Sequence, residues 1–198
     1  MKTVFFDVDT QLDFLYPAGA LAVPGAENIV KLLGELTSYA AKRGIPIVST
    51  ADAHAEDDPE FKIWKPHCVT GTTGQQKAAA TLLKDPLVLR ATPGALDANR
   101  ASLETAAQIV IEKQSIDCFT NPNLRPLLDL LRADRFVVYG VVTEVCVRCA
   151  ALGLLKTGSE VELVTDAVRS LNNQSERETT ELFQAHGGKL TTVAAVMA

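Results

Sequence analysis

The chain has 198 residues, enough for one full-sized domain with a single hydrophobic core. Hydrophobic residues make up 47% and charged residues 22%, which excludes a disordered or fibrous chain. A net charge of −5 leaves no basic footprint for nucleic acid or an anionic membrane surface.

Val4 to Asp9 reads as a short buried strand ending in carboxylates, followed by a loop from Pro17 to Pro24. Ile29, Leu32, Leu33, Leu36, Tyr39 and Ala40 recur at helical spacing over Asn28–Arg43, and Gly44 is a stop signal. Ile45 to Thr50 is a second strand, leading into the polar stretch Asp52–Pro59. Residues 60–85 are irregular, with a short helix expected over Gln75–Leu83. Leu87–Arg90 is a weak strand, Leu103–Ala107 a helical turn and Ile109–Lys113 a strand. A leucine-rich helix opens at Asn121-Pro122 and runs to Leu131. Phe136–Val142 is the most apolar run and reads as a central strand buried on both faces. Thr143 is an N-cap candidate for a helix to Lys156. A strand over Glu160–Thr165, a helix over Ser175–His186 and a strand over Lys189–Val193 complete the chain. This alternation predicts an α/β sandwich with a mostly parallel sheet and helices on both faces. No repeat or linker divides it, so residues 1–198 read as one domain.

The N-terminal run turns acidic at Asp7 and Asp9 before any secretion-type apolar region forms. No apolar run approaches the ~18 residues needed to span a bilayer. Four cysteines are too few for a disulfide scaffold at this length. The expectation is a cytoplasmic chain with reduced thiols and no membrane or nucleic-acid partner.

Ligands of parallel sheets collect at the carboxyl ends of the strands. Asp9, Asp52, His54, Lys113 and Cys146 all stand there. In the first turn of a helix, Cys146 would meet free N–H groups and a dipole that favour a thiolate and could hold an oxyanion. The alternative is a small core cysteine packed on the sheet. Cys149 completes a C-x-x-C pattern, but Val147-Arg148 between the two differs from a thioredoxin-type pair, and Cys149 reads as core. Asp9 and Lys113 could act on that thiol as base and cation, or form a structural ion pair. Asp52 and His54 are two apart, so extended backbone aims both one way, and His67 follows one loop later. One carboxylate and two imidazoles suit Zn²⁺, Fe²⁺ or Mn²⁺; otherwise these are polar loop residues.

These residues, in this order, resemble the isochorismatase-like cysteine hydrolases, nicotinamidase branch. The resemblance rests on Asp9-Thr10-Gln11-Leu12-Asp13-Phe14, the loop Pro17 to Gly25, Asp52-Ala53-His54, Trp64 to Val69, Glu112-Lys113 and Gly140 to Arg148. It covers nearly the whole chain. It implies a six-stranded parallel sheet, a homo-oligomer, and a catalytic triad of Asp9, Lys113 and Cys146. A cis peptide between Val141 and Val142 is implied too, with the N–H groups of Val142 and Cys146 as the oxyanion hole. Asp52, His54 and His67 become ligands of a divalent metal, Zn²⁺ first. The implied reaction is hydrolysis of a small amide through a thioester on Cys146, with Phe14, Trp64 and Phe119 as walls for a flat ring. Two alternatives accompany it. Nicotinamidases usually carry Trp where this chain has Ala53, and Gln114–Pro122 differs from their usual run, which leaves room for another amide, ureido or carbamoyl substrate. A non-catalytic scaffold would have no need of the intact triad. Asp7 is an extra carboxylate where an apolar strand residue is typical.

Overall fold

The computed structural model describes residues 1–103 and 105–198. The strands are β1 (Thr3–Val8), β2 (Ile47–Asp52), β3 (Leu87–Leu89), β4 (Gln108–Lys113), β5 (Arg135–Val141), β6 (Glu160–Arg169) and β7 (Lys189–Thr191). They form one sheet in the order β3-β4-β2-β1-β5-β6-β7, and every pairing is parallel. Seven strands replace the six implied by the resemblance. The two outermost, β3 and β7, have three residues each, short enough to offer little unpaired edge.

The helices are α1 (Leu12–Leu15), α2 (Val30–Arg43), α3 (Ala95–Ala98), α4 (Arg100–Leu103), α5 (Leu124–Leu131), α6 (Arg148–Leu155), α7 (Asn173–Ala185) and α8 (Val193–Met197). Alternation along the strands divides the core in two. Val4, Phe6, Val8, Phe136 and Val138 face α5, α6 and Phe183 of α7. Phe5, Val137, Tyr139 and Val141 face Leu33, Leu36 and Ala40 of α2 together with Val193 and Val196 of α8. Helix α2 stops at Gly44, whose φ of 64° is a conformation glycine adopts at little cost.

Four local expectations change. The stretch 75–83 carries only a 3₁₀ turn at Ala79–Thr81. The chain before it is instead spent on an antiparallel bridge between Gln11 and Lys77, with Leu12 N–H donating to Gln76 O and Ala78 N–H to Thr10 O. Thr143 does not cap a helix: its hydroxyl is buried without a partner among the described residues, and Thr143–Val147 form a π-helical turn ahead of α6. Strand β6 extends to Arg169, past the expected end at Thr165, and residues 193–197 form α8 where a strand end was expected. The turn expected over 103–107 includes Glu104, which lies outside the described residues.

Crossovers lead from β1 to β2 on one side and from β4 across to β5 on the other, so the chain changes direction around β1. The crevice beyond its carboxyl end is where such sheets bind ligands. Among the described residues, no helix is long and apolar enough to cross a membrane.

Candidate active site

Asp9 follows β1 directly and is fully buried, with φ of 49°. Aspartate tolerates this left-handed conformation better than most side chains, but it still requires support. Thr50 on β2 supplies part of it. Its hydroxyl donates to Asp9 Oδ1 at 2.6 Å, while Asp9 N–H reaches Thr50 O and Oγ1 at 3.3 and 3.2 Å.

Lys113 ends β4, directly opposite Asp52 in the β2–β4 register, and is 1% exposed. Its ammonium lies 2.9 Å from Asp9 Oδ2 and 3.7 Å from Cys146 Sγ, and also donates to Asp52 Oδ1. The contact with Asp9 Oδ2 is a close ion pair that leaves this oxygen without a well-directed hydrogen bond.

Cys146 lies in the π turn that leaves β5. The Val141–Val142 peptide is cis, and the N–H groups of Val145 and Val147 both donate to Val142 O at 3.1 Å. Burial raises the Cys146 thiol well above its ordinary range; the Lys113 ammonium opposes this, while Asp9 and Asp52 reinforce it. Burial thus favours the protonated thiol over a free thiolate at rest. Burial likewise raises the Asp9 carboxyl above a solvated carboxylate, more than Lys113 lowers it. For Asp52 the balance reverses: burial raises its carboxyl, but Lys113 and both histidines together hold it far below the ordinary value. Asp52 stays ionised.

The histidines converge on that carboxylate. His54 Nε2 is 3.7 Å and His67 Nε2 3.5 Å from Asp52 Oδ2. Each ring's other nitrogen faces an acceptor, Asp58 at 3.0 Å for His54 and Lys65 O at 2.7 Å for His67. That arrangement turns both Nε2 lone pairs inward, as outer-sphere acceptors do in metal sites. Donors about 2.0–2.1 Å from one tetrahedral ion stand roughly 3.4 Å apart, so these separations match a shared divalent cation. The three donor atoms lie within 4.8 Å of one another, and both nitrogens of buried His54 lack a well-directed hydrogen bond. The residues fit a metal. Phe14 and Phe61 pack against the imidazoles, with ring centroids 5.3 Å from His67 and 5.2 Å from His54 respectively.

A small cavity of about 60 Å³ opens onto these groups. Asp9, Cys146, Asp52 and His67 form its polar end; Phe14, Trp64, Val23 and Val142 form its apolar walls. Glu60 also lines it, and burial first, then the charge of Asp52, raises that carboxyl. The structure thus brings together Asp9, Lys113, Cys146, Val142, Asp52, His67, Phe14 and Trp64, with His54 immediately behind. Phe119 is the exception. Its ring packs over Gly153 of α6 with Arg125 stacked on its other side, and it does not line the cavity. The 3₁₀ turn Cys118–Thr120 aims it at the helix layer.

Several supporting residues carried no role in the sequence reading. Gln11 accepts the Asp52 N–H at 2.7 Å, and its own amide donates to Asp52 O at 2.8 Å and Gln75 O at 2.7 Å. The Asp13 carboxylate accepts the N–H groups of Cys68 at 2.7 Å and Ala20 at 2.9 Å, fixing the residue next to His67. Both lie inside the D-T-Q-x-D-F segment, which was the available signal. Asp58, four residues beyond His54, could have been read from its spacing.

The chain is thus a three-layer protein with a parallel α/β sheet and a buried Asp–Lys–Cys cluster at its switch point. The family follows from comparison: the isochorismatase domain model matches residues 3–195, and the chain belongs to that family. It is 25% identical to the nicotinamidase of Escherichia coli (strain K12), covering 94% of this chain and 93% of that one. Among solved structures it is similar to the pyrazinamidase of Pyrococcus horikoshii in complex with zinc, at 28% identity and a TM-score of 0.80, covering 97% of this chain and 99% of that chain. PnC1 from L. infantum in complex with nicotinate is similar at 26% identity and a TM-score of 0.79, covering 98% and 93%.

Proposed function

We propose that the protein hydrolyses the carboxamide of a small, flat heteroaromatic amide of the nicotinamide type, releasing ammonia through a thioester on Cys146. The observation that carries this reading is the single cavity in which Cys146 and Asp9 share space with the metal-ligand end, joined underneath by Lys113. The family and its nicotinamidase relatives make the chain an amidohydrolase acting on C–N bonds.

Asp9 takes the Cys146 thiol proton as sulfur attacks the carboxamide carbon, and the Lys113 ammonium stabilises the forming thiolate. The N–H groups of Val142 and Cys146 serve as the oxyanion hole. When the tetrahedral intermediate collapses, Asp9 passes its proton to the leaving nitrogen, which departs as ammonia. Asp9 then takes a proton from water as that water attacks the thioester, and returns it to the departing sulfur, giving the carboxylic acid and the free thiol. Asp52, His54 and His67 would hold a divalent cation, with zinc the first choice because imidazole and carboxylate donors suit it. When bound, it supplies an electrophile for a ring nitrogen and so orients the ring. Phe14 and Trp64 form the slot around that ring.

The test is ammonia release from nicotinamide, pyrazinamide and an aliphatic amide, by zinc-loaded and chelator-treated protein. Turnover of the ring amides, lost on chelation and restored by metal, is expected. Turnover of aliphatic or carbamoyl compounds alone would contradict the ring assignment. Ala53, standing where nicotinamidases usually carry Trp, is the feature that favours such a different substrate.

A further inference from the structure

Beneath the site lies a second buried ion pair that the reaction does not touch. Asp7 of β1 is fully buried, and Lys77 Nζ reaches its Oδ2 at 2.8 Å. The same ammonium donates to Thr10 Oγ1 at 2.7 Å, and the Thr10 hydroxyl donates to Asp7 Oδ1 at 2.9 Å. Ser49 Oγ donates to Asp7 Oδ2 at 3.0 Å and accepts Gln108 Nε2 at 2.8 Å, which ties the group to β2 and β4. Asp7, Lys77 and Thr10 form a closed triangle around the left-handed Asp9, which sits between Val8 and Thr10 in the chain.

Such an arrangement is costly as a stabilising device, because a buried ion pair seldom outperforms apolar side chains of similar size. It gives direction instead: the Thr10 hydroxyl accepts from Lys77 and donates to Asp7, with Thr81 Oγ1 as a third contact at 2.8 Å. Asp9 is held directly by Thr50 and Lys113, and the triangle holds the next residue in the chain, Thr10. Left-handed, non-glycine backbone persists where its surroundings over-determine it.

We propose that Asp7 and Lys77 are positioning residues for Asp9, acting through Thr10 to keep its carboxylate aligned with Lys113 and Cys146. The inference rests on the assignment of Asp9 as the base of the amidase reaction. A misplacement of about 1 Å at a reacting group can cost on the order of a hundredfold in rate, so a loosened Asp9 is expected to lower kcat by about tenfold to a hundredfold. None of the three residues lines the cavity, and His67 is anchored separately through the bond of Cys68 to Asp13, so KM and the affinity for zinc should stay within about threefold of wild type.

The test uses the double variant Asp7→Val/Lys77→Met, which removes both charges at similar volume, and Thr10→Val, which leaves the ion pair but removes the hydroxyl that links it to Asp9. Lys77→Met alone would strand a buried carboxylate and report mainly on folding. Each variant is checked by circular dichroism, zinc titration and steady-state kinetics on the full chain. A fall in kcat with KM and zinc affinity retained, in Thr10→Val and in the double variant if it folds, supports the proposal. Thr10→Val with wild-type kcat overturns it. Loss of zinc affinity in step with kcat also overturns it, because the triangle would then serve the segment carrying His67. An Asp9→Asn control separates the two levels. If that variant keeps full turnover, the amidase reading itself fails; if it is inactive while the other variants match wild type, only this inference fails.

Discussion

Asp9 and Cys146 meet in a pocket where burial penalises charge on both. The Asp9 carboxyl is raised by burial, so it is a stronger base than a solvated carboxylate, and the thiol it must deprotonate starts protonated. Lys113 resolves the conflict at the moment of attack, since its ammonium is 3.7 Å from the sulfur that gains charge. The sign of the pH dependence follows. Asp9 accepts a proton only when ionised, so kcat/KM falls as pH drops through its raised value, with a midpoint above the ordinary 3.8. Asp9→Asn should abolish that limb and lower activity by about 10²- to 10⁴-fold. A wild-type profile flat down to pH 3.8 would contradict the assignment. Replacing Lys113 is a poorer probe, because leaving Asp9 and Asp52 buried and unpaired costs about 3–5 kcal/mol of stability. At this scale the sequence marked most of the residues that the structure brings together. Asp9, Asp52, His54, Lys113 and Cys146 are reactive types at strand ends or just beyond, and the structure gathers them with His67, which comes from the loop after β2. Phe119 was not legible, because the direction of its ring is set by packing against Gly153 rather than by its position after β4.

At the scale of elements, the segment from His67 to Ala78 acts as a strap across the mouth of the sheet. Its two ends are fastened by long-range bonds: Cys68 to Asp13, 55 residues away, and Lys77 to Thr10, 67 residues away. No local periodicity encodes such bonds, which is why Gln75–Leu83 reads as a helix from its sequence and folds as a bridge at Lys77 followed by a 3₁₀ turn. The strap also depends on close approach. A Cβ at Gly74 would lie 2.2 Å from Asp13 Oδ2, and that carboxylate is already held by the N–H groups of Cys68 and Ala20. Gly74→Ala must push Asp13 away, releasing Cys68 and with it His67. The expected result is a loss of about 1–3 kcal/mol in thermal or denaturant unfolding, with weaker zinc retention. Unchanged unfolding and unchanged zinc affinity would show that the strap tolerates slack. The π turn at Thr143–Val147 was equally hidden, since Thr143 looks like a cap and only the tertiary position of β5 and α6 denies it that role.

For the whole molecule, the alternation of apolar strands and amphipathic helices was enough to predict a parallel three-layer sheet, because each element must bury one face against its neighbours. All seven strands correspond to runs visible in the chain, while the resemblance implied six. The sheet's function is to gather residues from four strand ends: Asp9 after β1, Asp52 on β2, Lys113 on β4 and Cys146 beyond β5. Three carboxylates (Asp9, Asp52 and Glu60) and no arginine or lysine line the cavity, which, like the net charge of −5, disfavours an anionic ligand. The account depends most on a covalent bond between this sulfur and the acyl group. Acid-quenching the zinc-loaded protein during turnover of nicotinamide, then mapping peptides by mass spectrometry, tests it directly. The account predicts a nicotinoyl adduct on the Cys146 peptide and complete loss of ammonia release in Cys146→Ala; an active Cys146→Ala enzyme with no adduct on the wild type would contradict it.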